Sequence, residues 1–192
     1  MVSAMNPSLT IAIRAARAAA KILLRYYDRL DQVQVQTKSR NDFVSEVDCG
    51  AEQAIIQELR ARFPGHAILA EESGAQGASD YEWIIDPLDG TTNYLHGFPQ
   101  FAISIALRHR GQLDCAVVYD PLREELFTAA RGEGARLNDR RLRVAGRPSL
   151  EGALIGTGFP FRDQRHVDAY LAMFKAMTLN TAGLRRPGSA AL

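Results

Sequence analysis

Apolar residues recur every three to four positions over residues 7–27: Leu9, Ile13, Ala16, Ala20, Leu23 and Tyr27 share one stripe, with Arg14, Arg17, Lys21 and Arg25 largely opposite. That period predicts an amphipathic first helix facing a core. Asn6 supplies its cap and Pro7 a first position that needs no donor. The period returns over residues 44–62 through Val47, Ala51, Ala54, Ile55 and Leu59, and Pro64-Gly65 stops it. Residues 66–70 read as a short buried strand running into Glu71 and Glu72, and residues 74–80 as a small polar loop. Trp83, Ile84 and Ile85 form another apolar strand, ending at Asp86-Pro87. From Phe101 to Leu107 the period drops to two, and turns at Arg110-Gly111 and Asp120-Pro121 separate further strands over 113–119 and 125–130. Gly132, Gly134 and Asn138-Asp139 punctuate shorter strands, and a last helix is predicted over 165–179. This mixture predicts one α+β layered domain over residues 1–192, with no repeat or linker.

Composition adds little at first. Of the 192 residues, 46% are hydrophobic and 23% charged, an ordinary globular mixture that excludes a disordered or fibrous chain. Only Cys49 and Cys115 are present, which suits a reducing cytoplasm better than a disulfide framework. The longest stretch without Asp, Glu, Lys or Arg ends at Leu107 and contains Asn93, His96 and Gln100, so no membrane span is expected. The acid-free start, residues 1–27, is expected to be the core-facing helix rather than a transit peptide.

Charge is more informative by segment. The net charge of +1 conceals −5 over residues 1–130 and +6 over residues 131–192. Between residues 42 and 89 there are 11 acids against only Arg60 and Arg62. Several of those acids sit in apolar surroundings, where carboxylates need cations. Arg140, Arg141, Arg143 and Arg147 read as strand-edge charges, and no nucleic-acid motif accompanies them, so direct nucleic-acid binding is not expected. His66, His96, His109 and His166 are scattered without ligand spacing.

The chemistry gathers at two strand ends. Asp86-Pro87-Leu88-Asp89-Gly90-Thr91-Thr92 follows an apolar strand, so two carboxylates three residues apart can converge on a hard cation, with the Leu88 carbonyl as a third oxygen. Glu71, ending the preceding strand, can reach the same place. Oxygen-only ligation favours Mg²⁺ or Mn²⁺ over zinc. Gly90 permits close backbone approach, and the N–H groups of Gly90 and Thr91 would suit a phosphate if a helix starts there.

Residues 83–94, Trp-Ile-Ile-Asp-Pro-Leu-Asp-Gly-Thr-Thr-Asn-Tyr, resemble the signature of the inositol monophosphatase family. Ala70-Glu71-Glu72-Ser73 and Asn41-Asp42-Phe43-Val44-Ser45-Glu46-Val47-Asp48 are similar to its two upstream motifs, and Val118-Tyr119-Asp120-Pro121 also matches. Arg185-Arg186-Pro187-Gly188-Ser189-Ala190-Ala191-Leu192 is most like the bacterial SuhB-type branch. The resemblance spans the chain. It implies the layered αβαβα sandwich of the inositol monophosphatase and fructose-1,6-bisphosphatase type, C-terminally incomplete. Relatives continue past the last motif into a Trp-Asp segment that supplies a further metal ligand, whereas the only tryptophan here is Trp83.

By that resemblance, Glu71, Asp86 and the Leu88 carbonyl would hold a first Mg²⁺, and Asp86 with Asp89 a second. Glu71 would reach a third, giving two or three ions per site, with Mn²⁺ as an alternative. Thr91 and Asp48, with Glu71, would orient and deprotonate an attacking water; Gly90 and Thr91 would bind phosphate; Asp89, Ser189, Ala190 and one of Arg185 or Arg186 would face the alcohol. The implied activity is hydrolysis of myo-inositol monophosphate, or a related sugar or polyol phosphate, by a cytoplasmic homodimer. The alternatives are a non-catalytic partner of the transcription machinery and an inactive fragment.

Overall fold

Asn6 caps the first helix as its position predicts: Oδ1 accepts the N–H groups of Ser8 and Leu9 at 2.9 and 3.3 Å. The computed structural model describes residues 6–33, 35–39, 42–160 and 164–192. Helix α1 spans Pro7–Tyr27 and buries Leu9, Ala12, Ala15, Ala16, Ala19, Ala20 and Leu23. That face is rotated from the predicted stripe, leaving Ile13 and Tyr27 at its margin. The alanine methyls let α1 lie close to a second helix as well as to the sheet.

Strands β1 (Val35–Ser39) and β2 (Asp42–Ser45) form an antiparallel pair; Asn41 of the upstream motif lies outside the described residues. Helix α2 then covers Glu46–Arg62. It starts two residues later than the apolar period suggests because Ser45 caps it: Oγ of Ser45 accepts the N–H groups of Val47 and Asp48. Val44 therefore belongs to β2.

The main sheet follows in chain order as β3 (Ala67–Ala70), β4 (Gly74–Gln76), β5 (Tyr81–Asp89), β6 (Ala102–His109), β7 (Gln112–Asp120), β8 (Glu125–Ala130), β9 (Gly134–Leu137) and β10 (Arg140–Arg141), with the short helix α3 (Thr91–Leu95) after β5. Among the described residues its spatial order is β10-β9-β8-β7-β6-β5-β3-β4. The β3–β5 pair is parallel and its neighbours are antiparallel. Two differences from expectation have physical reasons. Residues 74–76, read as loop, are an edge strand on β3, recognised by pairing rather than by apolar alternation. Strand β5 passes through Pro87 to Asp89, because the ladder to β6 is interrupted between Asp86 and Asp89 and the missing N–H of Pro87 breaks no bond.

Both long helices pack on this sheet. Their buried residues, including Val47, Ala51, Ile55 and Leu59 of α2, share one core with Trp83, Ile85, Phe101, Ile103, Ile105 and Leu107. The period of two along β6 is thus the core face. Arg140 and Arg141 stand exposed on the edge strand, where charge opposes edge-to-edge pairing. After the sheet, β11 (Leu154–Gly156) and β12 (Gly183–Arg185) pair in parallel around helix α4 (Val167–Asn180). Strand β12 delivers residues 186–192 to the end of β5. No helix among the described residues is long and apolar enough to cross a membrane.

Candidate active site and metal centre

Several chain segments meet where β3 and β5 end side by side. Glu71 follows β3, and its N–H bonds to the Ile85 carbonyl of β5 at 3.1 Å. That pairing sets its carboxyl beside Asp86, with a hydrogen bond between the two groups. Burial, with Glu71 alongside and Asp89 nearby, pushes the Asp86 carboxyl up to about 8. Oδ1 of Asp86 accepts the N–H of Leu88 at 3.1 Å.

The turn into α3 places the next groups. Gly90 sits at φ 96°, and a Cβ there would lie 3.0 Å from the Gln100 carbonyl, so glycine is required twice over. The first-turn N–H groups of α3 have no acceptor within the helix, and Gly90, Thr91 and Thr92 line a cavity. The Thr91 hydroxyl lies between two acceptors, the Leu88 carbonyl at 3.0 Å and Asp48 Oδ1 at 3.3 Å. Asp48 is buried at the start of α2, behind the cavity wall. Its other oxygen accepts from the Ser45 hydroxyl and from the Ser45 N–H, the latter at 2.9 Å. Burial raises the Asp48 carboxyl above its ordinary range, and the Ser45 and Thr91 hydrogen bonds oppose that rise only in part.

The last segment closes one side. Asp89 accepts from the Ser189 hydroxyl, from the Ala190 N–H at 3.0 Å and from the Ala191 N–H at 2.7 Å. Asn93, buried in α3, donates to the Gln100 carbonyl at 2.7 Å and the Pro187 carbonyl at 2.8 Å. The resulting cavity, about 690 Å³, is lined by Glu71, Asp86, Asp89, Thr91, Phe159 and Arg186 among others. Of the two arginines expected to offer an alcohol-side contact, Arg185 is absent from that lining: its guanidinium turns back to the Leu184 carbonyl at 2.9 Å. Neighbouring side chains at a strand end point to opposite faces, so Arg186 lines the cavity instead and lies over the Phe159 ring. Sequence reasoning also passed over Ser45 and Asn93, whose signals were only a cap position and a motif residue.

The donors gathered here fit a hard divalent cation. Two carboxyl groups in mutual contact gain from one, and the third donor is a carbonyl oxygen. Among the described residues no three His, Cys, Asp or Glu side chains form a closed cage, since Asp89 is turned to residues 189–191. An open, partly protein-made oxygen site suits Mg²⁺, which keeps waters and shares its coordination with phosphate.

The inositol monophosphatase family profile matches residues 4–192. The chain belongs to that family. Within it, the chain is similar to the SuhB branch: Nus factor SuhB of Pseudomonas aeruginosa is 55% identical, over 98% of this chain and 72% of that protein. The crystal structure of the suppressor protein SuhB from Bartonella henselae superimposes with a TM-score of 0.93 at 41% identity, covering 96% of this chain and 72% of that one. An IMPase/NADP phosphatase complexed with Mg²⁺ and phosphate gives a TM-score of 0.77 at 26% identity, over 97% of this chain and 70% of that one. The layered α+β fold expected from the motifs is therefore the inositol monophosphatase fold.

Proposed function

We propose that this chain is a Mg²⁺-dependent phosphomonoesterase that hydrolyses myo-inositol monophosphate, or a related sugar or polyol phosphate, to the alcohol and inorganic phosphate. The observation that carries this reading is the Glu71–Asp86 carboxyl pair at one cavity with the Thr91–Asp48 hydrogen bond. Glu71, Asp86 and the Leu88 carbonyl would hold the cation, with Asp89 beside Asp86. When bound, it neutralises phosphate charge and makes water more acidic. The backbone N–H groups of Gly90 and Thr91 hold phosphate oxygens at the start of α3. Thr91 Oγ orients the attacking water, and Asp48 Oδ1 receives its proton through Thr91; burial, which raises the affinity of Asp48 for a proton, suits that role. Ser189, Ala190 and Arg186 face the alcohol. The two cysteines suit a cytoplasmic enzyme, and the family resemblance implies a homodimer.

The test is phosphate release from myo-inositol monophosphate, with and without Mg²⁺. Wild type should turn over only with the metal and Asp86→Asn should not turn over at all; metal-independent turnover sinks the proposal. A second reading draws on the relatives named Nus factor SuhB, a partner-binding role in transcription. Partner capture that survives Asp86→Asn, with no turnover by wild type, favours it.

A further inference from the structure

Glu52 lies on α2 one helical turn beyond Asp48 and is 2% exposed. It is a buried acid that takes no part in the proposed chemistry. Its two carboxylate oxygens are both engaged: Oε2 accepts the Glu72 N–H at 2.8 Å and Oε1 the Ser73 N–H at 3.0 Å. Those amides form the turn between β3 and β4, immediately after Glu71. The backbone of Glu71 is thus held from two sides, by its own N–H on the Ile85 carbonyl and by the turn behind it on Glu52. A buried carboxylate is costly unless its oxygens are satisfied, and here two backbone donors satisfy it in fixed directions. Residues four apart share one helix face. The same face of α2 therefore fastens Asp48 to Thr91 and Glu52 to the Glu71 turn.

We infer that Glu52 is a positioning residue: it fixes the turn that aims the Glu71 carboxyl at Asp86, and so sets the affinity of the site for Mg²⁺. The inference rests on the proposed assignment of Glu71 and Asp86 to the metal. Glutamine at position 52 keeps the shape but replaces one acceptor by an NH₂ group that faces an N–H, so one of the two bonds must break.

The test is calorimetric titration of the full chain with Mg²⁺ alone, with exchange protection of the Glu72 and Ser73 amides as a second readout. Glu52→Gln should raise the Mg²⁺ dissociation constant about 10- to 100-fold and lose protection at those amides, with turnover recovering at high Mg²⁺. Ile55→Val, a packing lesion in the core on the same helix, should lower the melting temperature and leave the Mg²⁺ constant unchanged. Mg²⁺ affinity in Glu52→Gln within about twofold of wild type overturns the inference. So does an Ile55→Val variant that weakens Mg²⁺ equally, since the effect is then general stability. If Glu52→Gln does not fold, Glu52→Asp, which keeps the charge with a shorter reach, should still weaken Mg²⁺. Unchanged affinity there, or failure of both variants to fold, also overturns it. A wild type that binds no Mg²⁺ removes the metal assignment and this inference together, whereas a wild type that binds and a Glu52→Gln that binds equally removes this inference alone.

Discussion

Asp86→Asn should stabilise the metal-free chain at neutral pH while destroying its proposed chemistry. The Asp86 carboxyl, buried beside Glu71, is raised from its ordinary 3.8 to about 8. The folded chain therefore keeps a proton that the unfolded chain gives up above about pH 4. The sign follows: the contribution of this group is least unfavourable below that pH, and stability is lost as pH rises from about 4 towards 8. At ~1.4 kcal/mol for each pH unit, the rise to pH 7 costs about 4 kcal/mol, and water in the open cavity lowers this to ~2–4 kcal/mol. Asparagine is neutral throughout and can still hydrogen-bond Glu71, so the variant escapes that cost. Urea denaturation in a chelator should show Asp86→Asn more stable by ~2–4 kcal/mol at pH 7, and equal to wild type near pH 4. Added Mg²⁺ should reverse the order, stabilising wild type alone. A variant less stable than wild type at pH 7, or a gain of equal size at both pH values, refutes the reasoning.

Thr91→Val removes the hydroxyl between Asp48 and the Leu88 carbonyl, and turnover assays should show kcat lower by about 10²–10⁴ with little change in melting temperature. Gly188→Ala should be worse for stability than its size suggests. Its φ is 87° and the new Cβ would fall 2.9 Å from the Asn93 amide, so a loss of about 1–3 kcal/mol by denaturant titration is expected. His66 stacks between Phe63 and Tyr81 at 4.7 and 4.8 Å with its Nδ1 buried and unpartnered, and burial lowers its affinity for a proton. Wild type should therefore lose stability as pH falls below the ordinary histidine value of 6.5, and His66→Phe should flatten that loss in acid melting curves.

Much of this architecture was legible because it is local. The first helix announced itself through its cap and its period of apolar residues, and β6 through strict alternation. The site motif could be read because Asp86, Leu88, Asp89 and Thr91 lie within one turn at a strand end. What escaped depends on contacts between distant segments. Strand β4 exists only because Ala70 and Gly74 face each other across a turn that Glu52 holds from another helix. Asp89 finds its partners 100 residues later in the chain, at Ser189, and Asn93 finds the Pro187 carbonyl. The choice between Arg185 and Arg186 turned on which way the chain points as it leaves a three-residue strand beside the cavity. No local pattern carries that information, because neighbouring arginines have identical chemistry and opposite directions.

Crystals of the chain soaked in Mn²⁺, with anomalous scattering recorded at the manganese edge, test the central claim most directly. An anomalous peak within bonding distance of both Glu71 and Asp86, lost in Asp86→Asn, is the predicted result. No peak there, or a peak unaffected by Asp86→Asn, contradicts the assignment of this carboxyl pair to a divalent cation.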